Sequence, residues 1–293
     1  MSKKVGLALS GGGARALAHI GVIEALEKIG VKISFICGTS MGALVGGWYA
    51  ANKEVKSLKK LFLFIRKNFP GFGKILDNSD SKNRQFRDKT ITRLLVKNIG
   101  SIKIENCSIP FAAIATNLKN KKQVVLKKGN LAKAIKASMS LPLIFSPVKI
   151  GKYWLVDGGF SNPIPVDVVK KMGAEFIVAV DVTSDEKIIK ILEPKINWKK
   201  LLDYTFSHRL LDSLIAIYQH QLIKACLKNA DIVLKPKVSG FKLFEFDKIE
   251  QIVTAGVREV SLRQAEFPSE IKYPKNFFKR ILDFFLKKIP HRF

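Results

Sequence analysis

The chain has 293 residues, 47% of them hydrophobic, which is enough to bury a substantial core and unlike the composition of a disordered polymer. Its 51 Lys and Arg against 24 Asp and Glu leave a formal net charge of +27, an attraction for polyanions, although the excess is almost all lysine, as a genome-wide nucleotide bias would also produce. No apolar run approaches the ~20 residues that span a bilayer. The opening Met1-Ser2-Lys3-Lys4 lacks the apolar core of a secretion signal, and Cys37, Cys107 and Cys226 are too few and scattered for a disulfide framework or a metal site, which points to a reducing cytosol.

The first strand-like run, 5–9, enters Ser10-Gly11-Gly12-Gly13-Ala14-Arg15 and then a helical pattern over 16–29. Consecutive glycines bare backbone N–H groups at a helix start, where unpaired donors and the positive end of the helix dipole favour an anion. The loop therefore suits a phosphate, or the negative oxygen formed when a serine attacks an ester carbonyl, with a plain glycine turn as the alternative. Gly11-x-Gly13-x-x-Ala16 matches a loose dinucleotide fingerprint, but no Asp or Glu ends the next strand to grip a ribose, and no Gly-Lys-Ser/Thr closes a P-loop.

A second strand at 32–37 runs into Gly38-Thr39-Ser40-Met41-Gly42 and a helix at 42–51. A serine between two glycines on a sharp strand-to-helix turn is pushed clear of its neighbours, so Ser40 is the candidate nucleophile; the alternative is an ordinary turn opening a helix. A helix follows at 54–68. Over 54–69, Val55, Leu58, Phe62, Ile65 and Phe69 oppose Lys56, Lys59, Lys60, Arg66 and Lys67, which reads as an amphipathic helix buried against the domain. The least ordered stretches are expected at 70–87 and 183–200. Between them come helix 88–98, strands 111–116 and 122–126, and helix 131–137.

The alternating run Tyr153-Trp154-Leu155-Val156 ends in Asp157-Gly158-Gly159 and is followed by Asn162-Pro163-Ile164-Pro165. A nucleophilic serine needs a proton acceptor within about 3 Å, and Asp157 serves if the fold brings it there; an isolated Asp-Gly-Gly is otherwise a turn. The four histidines do not supply the serine, acid, histidine order of an α/β-hydrolase. His19 is expected to pack or bond locally, His208 and His220 flank a helix-like stretch, and His291 lies near the C-terminus. A serine–aspartate pair is the simplest constellation available.

Helix 165–171, strand 176–181, helix 208–227, strand 231–235 and helix 247–264 complete an alternation that indicates an α/β sandwich. From Asn276 to Ile289, Phe277, Ile281 and Phe285 form one row and Phe278, Leu282, Leu286 and Ile289 the next, with Lys279, Arg280, Asp283, Lys287 and Lys288 largely opposite. That is a basic amphipathic helix suited to a headgroup layer or to docking on the domain.

The glycine loop Gly11 to Arg15, the turn Gly38 to Gly42 and Asp157-Gly158-Gly159 together resemble the patatin-like phospholipase family, in the family's order. Further similarity runs through Lys136-Ala137-Ser138-Met139-Ser140-Leu141-Pro142 and Asn162-Pro163-Ile164-Pro165, strongly over residues 5–182 and more weakly to about 266. The resemblance implies a three-layer α/β/α sandwich around a central, mostly parallel sheet, with a catalytic domain over 1–266 and a basic amphipathic tail over 267–293. It implies Ser40 as nucleophile and Asp157 as base, on a turn shaped by Gly38 and Gly42 and an acid motif shaped by Gly158 and Gly159. It assigns Gly11, Gly12, Gly13 and Arg15 to an oxyanion loop, the amides of Gly12 and Gly13 donating and Arg15 shaping the backbone, and it implies no metal or cofactor. In the family, segments such as 70–87 and 183–200 lie near the active site and act as a lid.

The leading function is a lipid acyl hydrolase of the phospholipase A or lysophospholipase type. Its rivals are a non-catalytic lipid- or partner-binding protein on the same fold and an acyltransferase using the same residues. The expected partners are an acyl-ester lipid and, through the positive charge, an anionic membrane. No zinc-finger spacing, RNA-binding aromatic signature or basic recognition motif supports specific nucleic-acid binding. The expected location is the cytoplasm, with peripheral contact on the inner face of the membrane.

Overall fold

The computed structural model describes residues 3–68, 81–142, 144–183 and 222–271. The expected amphipathic helix of the C-terminal tail, the stretch 183–200 beyond Thr183, and His208, His220 and His291 lie outside the described residues.

Among the described residues, eight strands form one sheet: β1 (Val5–Leu9), β2 (Ile33–Thr39), β3 (Phe111–Asn117), β4 (Gln123–Leu126), β5 (Val148–Ile150), β6 (Tyr153–Asp157), β7 (Phe176–Val180) and β8 (Ile232–Leu234). The pairs β1–β2, β2–β3, β1–β7 and β7–β8 are parallel, whereas β3–β4, β3–β6 and β5–β6 are antiparallel. The helices are α1 (Ala18–Lys28), α2 (Met41–Asn52), α3 (Lys56–Asn68), α4 (Ser81–Ile99), α5 (Leu131–Ser138), α6 (Val166–Lys171) and α7 (Ile249–Leu262).

Strand periodicity divides the side chains between two cores. Val5, Leu7 and Leu9 of β1 and Phe176, Val178 and Val180 of β7 join the larger core with α1, α2, α5 and α7. Ala8, Ile177 and Ala179 face the smaller core with Val166, Val168 and Val169 of α6 and Ile223. A sheet covered on both faces explains why the parallel strands read as nearly continuous apolar runs. The result is the expected three-layer α/β/α sandwich around a mostly parallel sheet.

The register on β3 positions the site. Ala113 and Ile114 pair with Leu126 and Val125 of β4 on one edge and with Gly38 and Thr39 of β2 on the other. Ala115 and Thr116 pair with Val124 and Gln123 of β4, and with Asp157 and Val156 of β6. So β2 and the antiparallel β6 share one edge of β3 end to end. Thr39 stands opposite Ile114 and Asp157 opposite the next residue, which brings the two carboxyl ends together.

Two sequence expectations are corrected, and one strand is added. Residues 81–87, expected to be irregular, form the first turns of α4. Nothing in their polar sequence shows a helical apolar face; the helix is held instead by Arg87, 1% exposed, whose Nε donates to Ile144 O at 3.0 Å, and by Asp88, ion-paired to Lys136. The short strand β5 has too few residues to show a period. The helix expected from 16 starts as a 3-10 turn over Gly13–Leu17. Phe267 and Ile271, assigned to the tail, are buried in the larger core at 2% and 1% exposure.

Candidate active site

Ser40 occupies φ 54°, ψ −127°, a conformation that side-chain-bearing residues adopt at a cost of ~1–3 kcal/mol. Glycine at 42 is required here by close approach, because a Cβ there would lie 2.4 Å from Ser10 O and 2.6 Å from Leu9 O. At Gly38 a Cβ would lie 2.4 Å from Gly42 O. The turn thus presses directly on the end of β1. Ser40 N donates to Ser138 Oγ at 2.9 Å, and Ser138 Oγ donates to Ile114 O at 2.5 Å, tying the serine backbone to α5 and β3. Thr39 Oγ1 donates to Asn162 O at 2.8 Å.

The Ser40 hydroxyl donates to Asp157 Oδ2 at 2.6 Å. Asp157 Oδ1 accepts the Gly159 N–H at 2.8 Å, and its backbone is fixed by Asp157 N to Ser140 O at 2.9 Å and by Thr116 Oγ1 to Asp157 O at 2.8 Å. Burial pushes the carboxyl up from 3.8 to about 6, opposed by the hydrogen bonds from Ser40 and Gly159. The group is therefore mostly ionised at neutral pH.

Gly12 and Gly13 adopt φ 143° and 55°, and a Cβ on Gly13 would lie 2.2 Å from Leu243 O. Both line the same cavity as Ser40 and Asp157, and among the described residues their amides have no hydrogen-bond partner. Gly11 also lines the cavity, but its own amide donates to Pro163 O at 3.3 Å. Arg15 Nε donates to Phe241 O at 2.7 Å and Ala14 N donates to Leu243 O at 2.7 Å, so the loop is fastened to the segment 241–243. Of the acid-motif glycines, Gly159 supplies the amide to Asp157, and Gly158 packs where a Cβ would meet Ile114 O at 2.3 Å.

His19 stays out of the site. It is fully buried, its Nε2 donates to Ser10 O at 2.9 Å, and burial lowers its pKa to about 4, so the ring is a neutral brace for the residue that opens the glycine loop.

Away from the polar end the cavity is apolar. Leu44 and Trp48 come from α2, Leu58, Leu61 and Phe62 from α3, and Ile91, Leu94 and Leu95 from α4. Val55, Leu58 and Phe62 are buried as the sequence reading of this segment expected, Phe69 lying outside the described residues, and Phe62 stacks on Phe246 with ring centroids 5.7 Å apart. Sequence reasoning gave no role to Ser138 or Ser140, although Ala137-Ser138-Met139-Ser140 was among the matching stretches; small hydroxyls buried at the end of an apolar helix are the available signal.

The chain is thus a parallel-centred α/β sandwich that sets a serine on a strained turn against a buried carboxylate, beside glycine amides unpaired among the described residues. Residues 7–170 match the profile of the family described as Patatin-like phospholipase, and the chain belongs to that family. Over 269 residues it is 28% identical to patatin-like phospholipase domain-containing protein 6 of Mus musculus, covering 86% of this chain and 20% of that protein. It is 36% identical over 184 residues to lysophospholipase NTE1 of Debaryomyces hansenii, covering 62% and 12%. It is also 36% identical over 191 residues to an uncharacterised NTE family protein of Mycobacterium bovis, covering 63% and 51%. The chain thus spans between about an eighth and a half of these relatives.

Proposed function

We propose that the chain is a serine lipid acyl hydrolase acting on fatty acyl esters of phospholipids or lysophospholipids. The observation that carries this reading is the 2.6 Å bond from Ser40 Oγ to Asp157 Oδ2 at the head of an apolar cleft. In the reaction, Asp157 takes the Ser40 proton as Oγ bonds to the ester carbonyl carbon, and the carbonyl oxygen becomes an oxyanion received by the Gly12 and Gly13 amides. One such donor is typically worth ~3 kcal/mol of barrier. Collapse of the tetrahedral intermediate expels the alcohol half of the lipid, which takes the proton from Asp157. Water, deprotonated by the same carboxylate, then releases the fatty acid and restores the Ser40 hydroxyl. The clefts formed by α2, α3 and α4 hold the acyl chain, whose burial supplies roughly 0.8 kcal/mol per methylene.

The lysophospholipase name of the yeast relative supports the substrate class. The three cysteines are free, in keeping with a reducing cytoplasm, and among the described residues no helix is long and apolar enough to cross a membrane. The test is labelling with a serine-directed fluorophosphonate, adduct mapping, and a panel of phospholipids and lysophospholipids. An adduct on Ser40 and fatty acid release abolished in Ser40→Ala are expected. Full release by folded Ser40→Ala sinks the proposal.

A further inference from the structure

Leu118, the first residue after β3, lies four residues beyond Ile114, the partner of Thr39, and so roughly 13 Å past the edge that carries Ser40. There its amide donates to Trp154 O at 2.9 Å, which joins the β3–β4 turn to the β5–β6 hairpin. Leu118, Tyr153 and Trp154 are 53%, 38% and 51% exposed, a cluster of large apolar side chains on an otherwise polar rim. Tyr153 and Trp154 are adjacent in one strand and therefore stand on opposite faces of the hairpin, like the sides of a blade.

The surround of this blade is wholly basic. Lys119, Lys121 and Lys122 occupy one turn, Lys149 stands on β5 and Lys152 in the other turn, all exposed, and neither 118–122 nor 147–154 contains an acid. Lys149 Nζ lies 5.9 Å from the Trp154 ring centroid and Lys152 Nζ 5.6 Å from that of Tyr153. The β3–β4 turn is built stiffly: Asn117 Oδ1 accepts Lys119 N at 2.9 Å and Asn120 Oδ1 accepts Lys122 N at 3.1 Å. Lys121 takes φ 60°, a position that Asn or Gly would occupy at lower cost.

We propose that these two turns form one docking surface for an anionic lipid bilayer. Tyr and Trp have an apolar body and a polar end and partition to the headgroup boundary, while lysines beside them meet lipid phosphates. A protein partner for the aromatic cluster would gain nothing from five surrounding cations unless it were acidic, whereas an anionic bilayer matches the apolar blade and the charge at once. Because β6 continues from Trp154 into Asp157, the contact would seat the carboxyl edge of the sheet, and with it the serine, toward the lipid. The proposal rests on the lipid-hydrolase reading for the presence of the bilayer, but its test does not.

The experiment is co-sedimentation of full-length Ser40→Ala protein with vesicles of phosphatidylcholine alone and of phosphatidylcholine mixed with phosphatidylglycerol. Salt-sensitive binding to the mixed vesicles is expected. Lys119→Gln, Lys121→Gln and Lys122→Gln together should weaken it on the order of a hundredfold, at roughly fivefold for each lysine near the surface. Trp154 should be quenched by brominated lipid, a signal lost in Trp154→Ala. A control with the same charge change, Lys170→Gln, Lys224→Gln and Lys228→Gln, lies in the segments leading into β7 and β8 and should bind as before. Equal weakening by the control, or vesicle binding that survives the hairpin changes while single-stranded RNA binding is lost, overturns the proposal. Hydrolysis of a water-soluble short-chain ester by the hairpin variants on a Ser40 background should stay at the wild-type rate, so failure of the catalytic reading is seen separately.

Discussion

Asp157→Asn should abolish most catalysis while making the protein more stable at neutral pH. In the folded chain the carboxyl sits at about 6 rather than 3.8, chiefly because burial disfavours its charge, a difference worth about 3 kcal/mol. The sign follows from proton linkage: a carboxylate raised on folding binds its proton more tightly in the native state, so its stabilising contribution is complete below pH 3.8 and is lost as pH rises through about 6. Asparagine keeps an oxygen for the Gly159 N–H and carries no charge to desolvate. The stability difference between variant and wild type should therefore be near zero at pH 4 and grow to at most ~3 kcal/mol at pH 7, about 5 °C in Tm for a chain of this size. His19 acts in the opposite direction, since its lowering from 6.5 to about 4 adds stability as pH rises over that range; it remains in both proteins and cancels from the difference. Thermal unfolding of both proteins from pH 4 to 7, with esterase activity measured in parallel, checks both halves. A difference that does not change with pH, or an Asn variant less stable than wild type at pH 7, refutes the assignment of a desolvated carboxylate.

In wild type, kcat/KM on a soluble ester should rise with pH through about 6, as the base form of Asp157 accumulates, and level off above 7; a profile already flat at pH 5 contradicts its role as base. Ser138→Ala removes the acceptor of Ser40 N and the donor to Ile114 O, so kcat should fall at least several-fold with KM little changed, and stability by roughly 1–3 kcal/mol in a urea titration. Gly13→Ala meets Leu243 O at 2.2 Å and strains a backbone at φ 55°; circular dichroism should remain native while hydrolysis drops by at least tenfold as the amide donors shift. Leu58→Ala, at a fully buried position in the cleft wall, should cost ~2–5 kcal/mol and move acyl-chain preference toward bulkier chains in a lipid panel.

Much of the local structure was legible because local sterics write it into the chain. Gly38 and Gly42 mark a turn that only glycine accommodates, and the alternation through Leu155 and Asp157 marks a strand ending in a carboxylate. The apolar row Val55, Leu58 and Phe62 marked the buried face of α3. Polar α4 was not legible in its first turns, because what holds them is Arg87 and Asp88 reaching residues 136–146, contacts that leave no periodic trace. The resemblance singled out the amides of Gly12 and Gly13, and the fold commits the amide of Gly11 to Pro163 O while those of Gly12 and Gly13, which line the cavity, have no hydrogen-bond partner among the described residues.

By itself, the order of residues determined an α/β chain with a serine on a strained turn, a glycine-rich helix start and a carboxylate at a strand end, since each depends only on a few neighbouring side chains and the backbone angles they permit. Only the tertiary structure decided that Ser40 and Asp157, 117 residues apart, share a hydrogen bond. The physical reason is a register: β2 and β6 run in opposite senses against one edge of β3 and stop at adjacent rungs. Such long-range pairing is settled by the cooperative burial of both sheet faces, which no local pattern encodes.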